Sequence, residues 1–149
     1  MRKKSNVLFV CYGNSCRSQM AEGWAHHLYP ATLNAFSAGI EPRRIDPLAI
    51  QVMKEAGVDI SPPETHSVEA FLAQDIDCAI LVCSEAAEVC PAFPAEVTVA
   101  RQPFDDPPAL TKGMDKEDRL AVYRRVRDEI RAYVARLPDL VSKAPSSIA

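Results

Sequence analysis

Short, continuously apolar runs alternate along the chain with longer stretches whose apolar residues recur every three to four positions. Residues 7–11 are apolar throughout and close on Gly13 and Asn14, the pattern of a buried strand. Met20, Trp24 and Leu28 stand at fourfold spacing in 18–29, which predicts a helix stopped by Pro30. Residues 33–38 read as a second strand closed by Gly39. Asp46-Pro47 is a capping residue followed by a first-turn proline, and it opens a helix through Met53 that ends at Gly57. A short helix is predicted over 67–74, a third strand over 78–83 (CAILVC) and a fourth over 97–100. Asp115 then caps the longest helix, whose apolar face is Leu120, Tyr123, Val126, Ile130, Val134 and Leu137. Pro138 ends it, and 138–149 reads as a loose tail.

Strand and helix in alternation imply a parallel sheet of four strands with helices on both faces, the α/β class. A length of 149 residues suits one domain, residues 1–149, with a proper core. In open sheets of this kind ligands bind beyond the carboxyl ends of the strands, where strand order reverses. The chemistry is therefore sought just after the first strand.

Composition narrows the function. The net charge of −3 gives no footprint for nucleic acid or an anionic membrane, although a local site can still be positive. The opening apolar run is too short for a signal peptide or a membrane span, so the chain is read as soluble and cytosolic. An odd number of cysteines, five, without an export signal points to catalytic, redox or metal-binding thiols rather than a disulfide framework. Zinc fits poorly: there is no CxxC pair, and His26, His27 and His66 lack zinc-motif spacing.

The segment Cys11-Tyr12-Gly13-Asn14-Ser15-Cys16-Arg17-Ser18 runs from a strand end into a helix start. Five residues between a Cys and an Arg can wrap a semicircle with its amide N–H groups pointing inward, if Gly13 and Asn14 supply positive φ angles. Those amides, the helix N-terminus and the Arg17 fork would cradle a tetrahedral dianion. The same field favours the thiolate of Cys11, to which Ser18 can donate a hydrogen bond. A nucleophile at the floor of an anion cradle is arranged to attack the bound anion. Cys16 reads as a packed, inert thiol, and Cys78 as core.

CYGNSCRS resembles the phosphate-binding loop of the low-molecular-weight tyrosine phosphatases and of the thioredoxin-coupled arsenate reductases built on the same fold. The phosphatases usually carry a Pro after the Ser; this chain reads Ser18-Gln19-Met20-Ala21-Glu22, as the reductases do. The resemblance continues through Ser37-Ala38-Gly39, Cys83, Cys90, Phe104-Asp105-Asp106-Pro107 and residues 125–130. In that fold the third strand lies beside the first, so Cys11 and Cys83 end on one sheet edge, about 4.8 Å apart strand to strand. Cys90 closes SEAAEVC before Pro91. If that stretch is helical, its ends lie about 10 Å apart, beyond the roughly 7 Å a disulfide spans between α-carbons.

The resemblance implies a relay in which Cys11 attacks arsenate, Cys83 and Cys90 resolve the adduct, and a thioredoxin-type partner reduces the final disulfide. It places the proton donor on Asp105, whereas Asp106 reads as a solvated loop carboxylate. Some reductases also bind potassium; Asn14, Glu22 and Ser37 match three of those positions. His66 stands at the fourth, where those members carry an Asp, and imidazole is a poor ligand for a hard alkali cation. Arg43 and Arg44 sit in a loop able to overlook the site, and a monomer is expected. Two rival readings remain. One is a phosphatase using the same loop on phosphoesters, with phosphate or sulfate in the same cradle; against it, the paired tyrosines usual after its Asp are missing. The other is a thiol switch without turnover, which leaves Asp105 unexplained.

Cys11→Ser should abolish both arsenate reduction and phosphoester hydrolysis, because an alcohol stays protonated where a thiol ionises. Steady-state assays of the purified variant check this; about a tenth of either activity remaining would remove Cys11 from the centre of the chemistry.

Overall fold

Four strands form one parallel sheet in the order β2-β1-β3-β4: β1 (Ser5–Cys11), β2 (Leu33–Gly39), β3 (Cys78–Leu81) and β4 (Thr98–Arg101). The computed structural model describes residues 4–60 and 65–139, so most of the expected tail lies outside the described residues. Successive strand residues point to opposite faces. Val7, Leu8, Phe9 and Val10 are all fully buried, so both faces of the central strand are covered. Strand order reverses between β1 and β3, which puts the open crevice at the carboxyl end of β1, as the alternating pattern predicts.

The helices are α1 (Arg17–Leu28), α2 (Pro47–Glu55), α3 (Ser84–Val89), α4 (Pro107–Leu110) and α5 (Lys116–Ala135). Asp46 and Asp115 cap α2 and α5 through side-chain oxygens that accept from Leu48 and Asp118 amides. The predicted face of α5 is the buried one: Leu120, Tyr123, Val126, Ile130, Val134 and Leu137 are at most 2 % exposed. It packs on α1 and α2, and each such aliphatic burial contributes roughly 1.5–3 kcal/mol. Trp24 of α1 joins the same interface, donating its indole N–H to the Arg127 carbonyl at 3.2 Å.

Four expectations change. The stretch predicted helical over 67–74 is one 3-10 turn, Val68–Phe71, capped by Ser67. The third strand stops at Leu81; Val82 still donates to the Val10 carbonyl at 2.8 Å, and Cys83 then leaves the sheet to cap α3. Asp106-Pro107 opens the short α4, which the pattern analysis left as loop. Past Ala135, residues 137–139 make one more helical turn through Pro138, pinned by buried Leu137.

Candidate active site

The loop after β1 is held by its carbonyls. Cys11, Tyr12, Gly13 and Ser15 carbonyls accept from the amides of Ile40 (3.3 Å), Glu41, Arg43 and Asp46 (each 2.9 Å). The Asn14 carbonyl accepts from the Gln19 side chain at 3.1 Å, and that of Cys16 from Met20 at 3.0 Å, the first bond of α1. Every carbonyl from Cys11 to Cys16 thus has a donor of its own within the protein, and the dipole of α1 favours an anion at the end of the loop. Ser15 adds a hydroxyl bond to the Arg44 carbonyl at 2.7 Å.

The loop rests on Gly39, the register partner of Cys11 on β2. A Cβ at Gly39 would lie 2.6 Å from the Asn14 nitrogen and 2.9 Å from the Tyr12 oxygen, so only glycine admits the loop there. Asn14 carries the positive φ, +52°, as expected; Gly13 does not. What glycine provides at position 13 is room, because a Cβ would meet Cδ of Arg43 at 3.2 Å.

Asn14 and Ser18 lie fully buried beneath the cradle rather than in its lining. Asn14 Oδ1 accepts from the His66 amide at 2.8 Å, and its Nδ2 donates to Ser18 Oγ at 2.9 Å. Ser18 Oγ thereby has one acceptor site filled and lies 2.9 Å from the Cys11 sulfur, where its proton can serve a thiolate.

Cys11, Tyr12, Gly13, Ser15, Cys16 and Arg17 line a cavity of about 420 Å³ together with Arg43, Glu85, Asp106 and Pro108. Arg17 is 6 % exposed; its Nη1 donates to the Phe104 carbonyl at 3.0 Å and its Nη2 lies 3.6 Å from Asp106. Asp106 is therefore part of the cavity and not the solvated carboxylate expected. Asp105 points away: its carboxylate sits on Arg125 at 3.0 Å, with side-chain exposures of 58 % and 44 %. Arg125 also binds Glu129. Glu85 carries a depressed pKa, set first by its own amide and, less, by Arg17. Sequence reasoning missed Glu85, and Arg43 was flagged only as a loop charge.

The remaining thiols differ in burial and placement. Burial pushes Cys16 well above its ordinary value, Cys78 up to about 12 and Cys83 up to about 11. Cys83 follows the end of β3 beside β1, and its sulfur accepts from the Ala86 amide at 3.4 Å as the N-cap of α3. Cys90 is the C-cap of that helix, half-buried, with its thiol raised by burial. All five thiols are free. The oxygens matched to a potassium site are engaged within the protein: Glu22 by Ser37 at 2.6 Å and by His26 at 3.2 Å, and Asn14 by the His66 amide. Among the described residues no cluster of three His, Cys, Asp or Glu side chains is arranged to hold a metal.

Residues 6–145 match the family described as low molecular weight phosphotyrosine protein phosphatase. An arsenate reductase of Halalkalibacterium halodurans is 45% identical over 127 residues, 85% of this chain and 90% of its own length. The arsenate reductase of Bacillus subtilis is 41% identical over 124 residues, 83% and 88% of the two chains. A solved arsenate reductase in the phosphate binding state superposes with a TM-score of 0.73 at 33% identity, covering 93% of this chain and 98% of its own. A tyrosine phosphatase of Erwinia amylovora gives 0.72 at 18% identity over 95% of each chain, a likeness of fold alone.

Gly39→Ala should force the loop off its seat. Urea unfolding should register a loss of about 1–3 kcal/mol, and calorimetric affinity for inorganic phosphate should fall at least about tenfold. Unchanged phosphate affinity would mean the close approach of β2 does not shape the cradle.

Proposed function

We propose that this chain, which belongs to the low molecular weight phosphotyrosine protein phosphatase family, reduces arsenate to arsenite. One observation carries the reading: three thiols stand in series, Cys11 on the cradle floor, Cys83 past the end of the neighbouring strand, and Cys90 at the far cap of α3. Phosphoester hydrolysis would use the first alone. The relatives named arsenate reductases, at 41% and 45% identity, support the same assignment.

In this scheme arsenate fills the cradle, its oxygens on the loop amides and Arg17. The Cys11 thiolate, steadied by Ser18, attacks arsenic, and a protonated oxygen departs as water. Asp105 supplies that proton once its loop gives up Arg125; an exposed ion pair holds by only about 1 kcal/mol or less, so the move is cheap. Cys83, as thiolate, then attacks the Cys11 sulfur. The arsenic–sulfur electron pair stays on arsenic, which leaves as arsenite, As(III), and a Cys11–Cys83 disulfide remains.

Cys83 must lose its proton before that attack, and burial opposes the loss. The attack also withdraws the sulfur that caps α3. A helix of six residues is marginal alone, so losing its cap favours unwinding. Unwinding is what Cys90 needs: helical spacing holds the two α-carbons about 10 Å apart, and a disulfide requires roughly 7 Å or less. Cys90 then attacks Cys83, freeing Cys11, and a thioredoxin-type dithiol reduces the Cys83–Cys90 bond. Such a reductant belongs to a reducing compartment, consistent with a cytoplasmic place. No helix among the described residues is long and apolar enough to cross a membrane. All groups come from one chain, so a monomer suffices. No step in this scheme calls on potassium.

Cys83→Ser and Cys90→Ser should each lower multiple-turnover arsenate reduction with a thioredoxin system by about 100-fold or more, yet leave phosphoester hydrolysis within about twofold. Near wild-type arsenate reduction by both variants would sink the relay.

A further inference from the structure

Arg43 stands outside the Cys11-to-Ser18 loop, and its exposed position suggests a solvated charge. Its surroundings argue otherwise. Its amide is tied to the Gly13 carbonyl at 2.9 Å, and its stem packs beside Gly13, where a Cβ would lie 3.2 Å from Cδ. Its guanidinium stacks over the Tyr12 ring, 5.2 Å from the centroid, while the Tyr12 hydroxyl is anchored on Glu41 at 2.9 Å. Two side-chain contacts and a backbone bond thus hold a long side chain that would otherwise lose rotamer freedom only at a cost. They fix it in the lining of the Cys11 cavity.

The charge balance of that cavity gives the placement a consequence. Glu85 and Asp106 line it opposite Arg17, and Arg17 already spends one nitrogen on the Phe104 carbonyl and faces Asp106 with another. Without Arg43 the mouth would carry two carboxylates against one committed guanidinium, a poor entrance for an oxyanion bearing more than one negative charge.

We propose that Arg43 is the second cation of the oxyanion site, drawing the tetrahedral anion past Glu85 and Asp106 and holding its outer oxygens, with no part in bond breaking. The inference rests on the oxyanion reading of the site but adds a residue to it.

The test is titration calorimetry of the reduced, full-length protein with inorganic phosphate, at low and high salt, beside arsenate kinetics. Arg43→Gln should weaken phosphate about fivefold at low salt and raise KM for arsenate alike, leaving kcat unchanged. Its affinity should depend less steeply on salt than that of the wild type, and Arg43→Lys should restore the slope. Wild-type affinity and salt slope in Arg43→Gln would overturn the proposal and leave the reading of the site intact. So would a fall in kcat at unchanged KM. A wild-type protein that neither bound phosphate nor formed arsenite would instead bring down that reading, and the proposal with it.

Discussion

The site depends on where six consecutive carbonyls point. A loop that binds an anion with its amides must turn its carbonyls away, and turned away they need donors. Residues 40–46 meet that requirement, laying their amides along the outer edge of the loop, with Gln19 and Met20 completing the set. The arrangement works only because the loop can settle onto Gly39. Asp46 joins the two sides: its amide holds the loop at Ser15, its carboxylate caps α2, and the Tyr123 hydroxyl of α5 donates to its other oxygen. The anion cradle is thus braced from as far away as α5.

Burial then sorts the thiols. Cys16 and Cys78 are enclosed, and burial raises both thiols above their ordinary value. Cys83 is enclosed too, but it sits at the hinge between a strand end and a short helix, where its sulfur is part of the hinge. Using that sulfur loosens the helix, and the helix is what separates Cys83 from Cys90. Order of attack and order of unwinding are coupled by one weak cap.

Much of this was legible in the sequence, and the failures have physical causes. The strands were found because β1 is buried on both faces and reads as an unbroken apolar run. Asp46-Pro47 announced α2, and the same signature at Asp106-Pro107 announced α4, overlooked because four residues leave no periodicity to see. The Cys-to-Arg spacing located the cradle because chain length alone limits how it can close. Asp106 was misread as solvated, since adjacent carboxylates differ in which arginine each meets, and Arg17 and Arg125 come from distant segments. Arg43 and Glu85 were hidden for the same reason. The Ser18–Cys11 contact was anticipated, but the place of Asn14 behind it was not, because nothing in the sequence says what Asn14 meets.

A single-turnover reaction tests the central claim most directly. Fully reduced protein is mixed with excess arsenate and no external thiol, and arsenite, free thiols and disulfide positions are counted. The account predicts one arsenite per chain, the loss of two thiols, and a disulfide mapped by mass to Cys83 and Cys90, with Cys11 free again. Arsenite formed without loss of thiols, or a disulfide that left both Cys83 and Cys90 reduced, would contradict it.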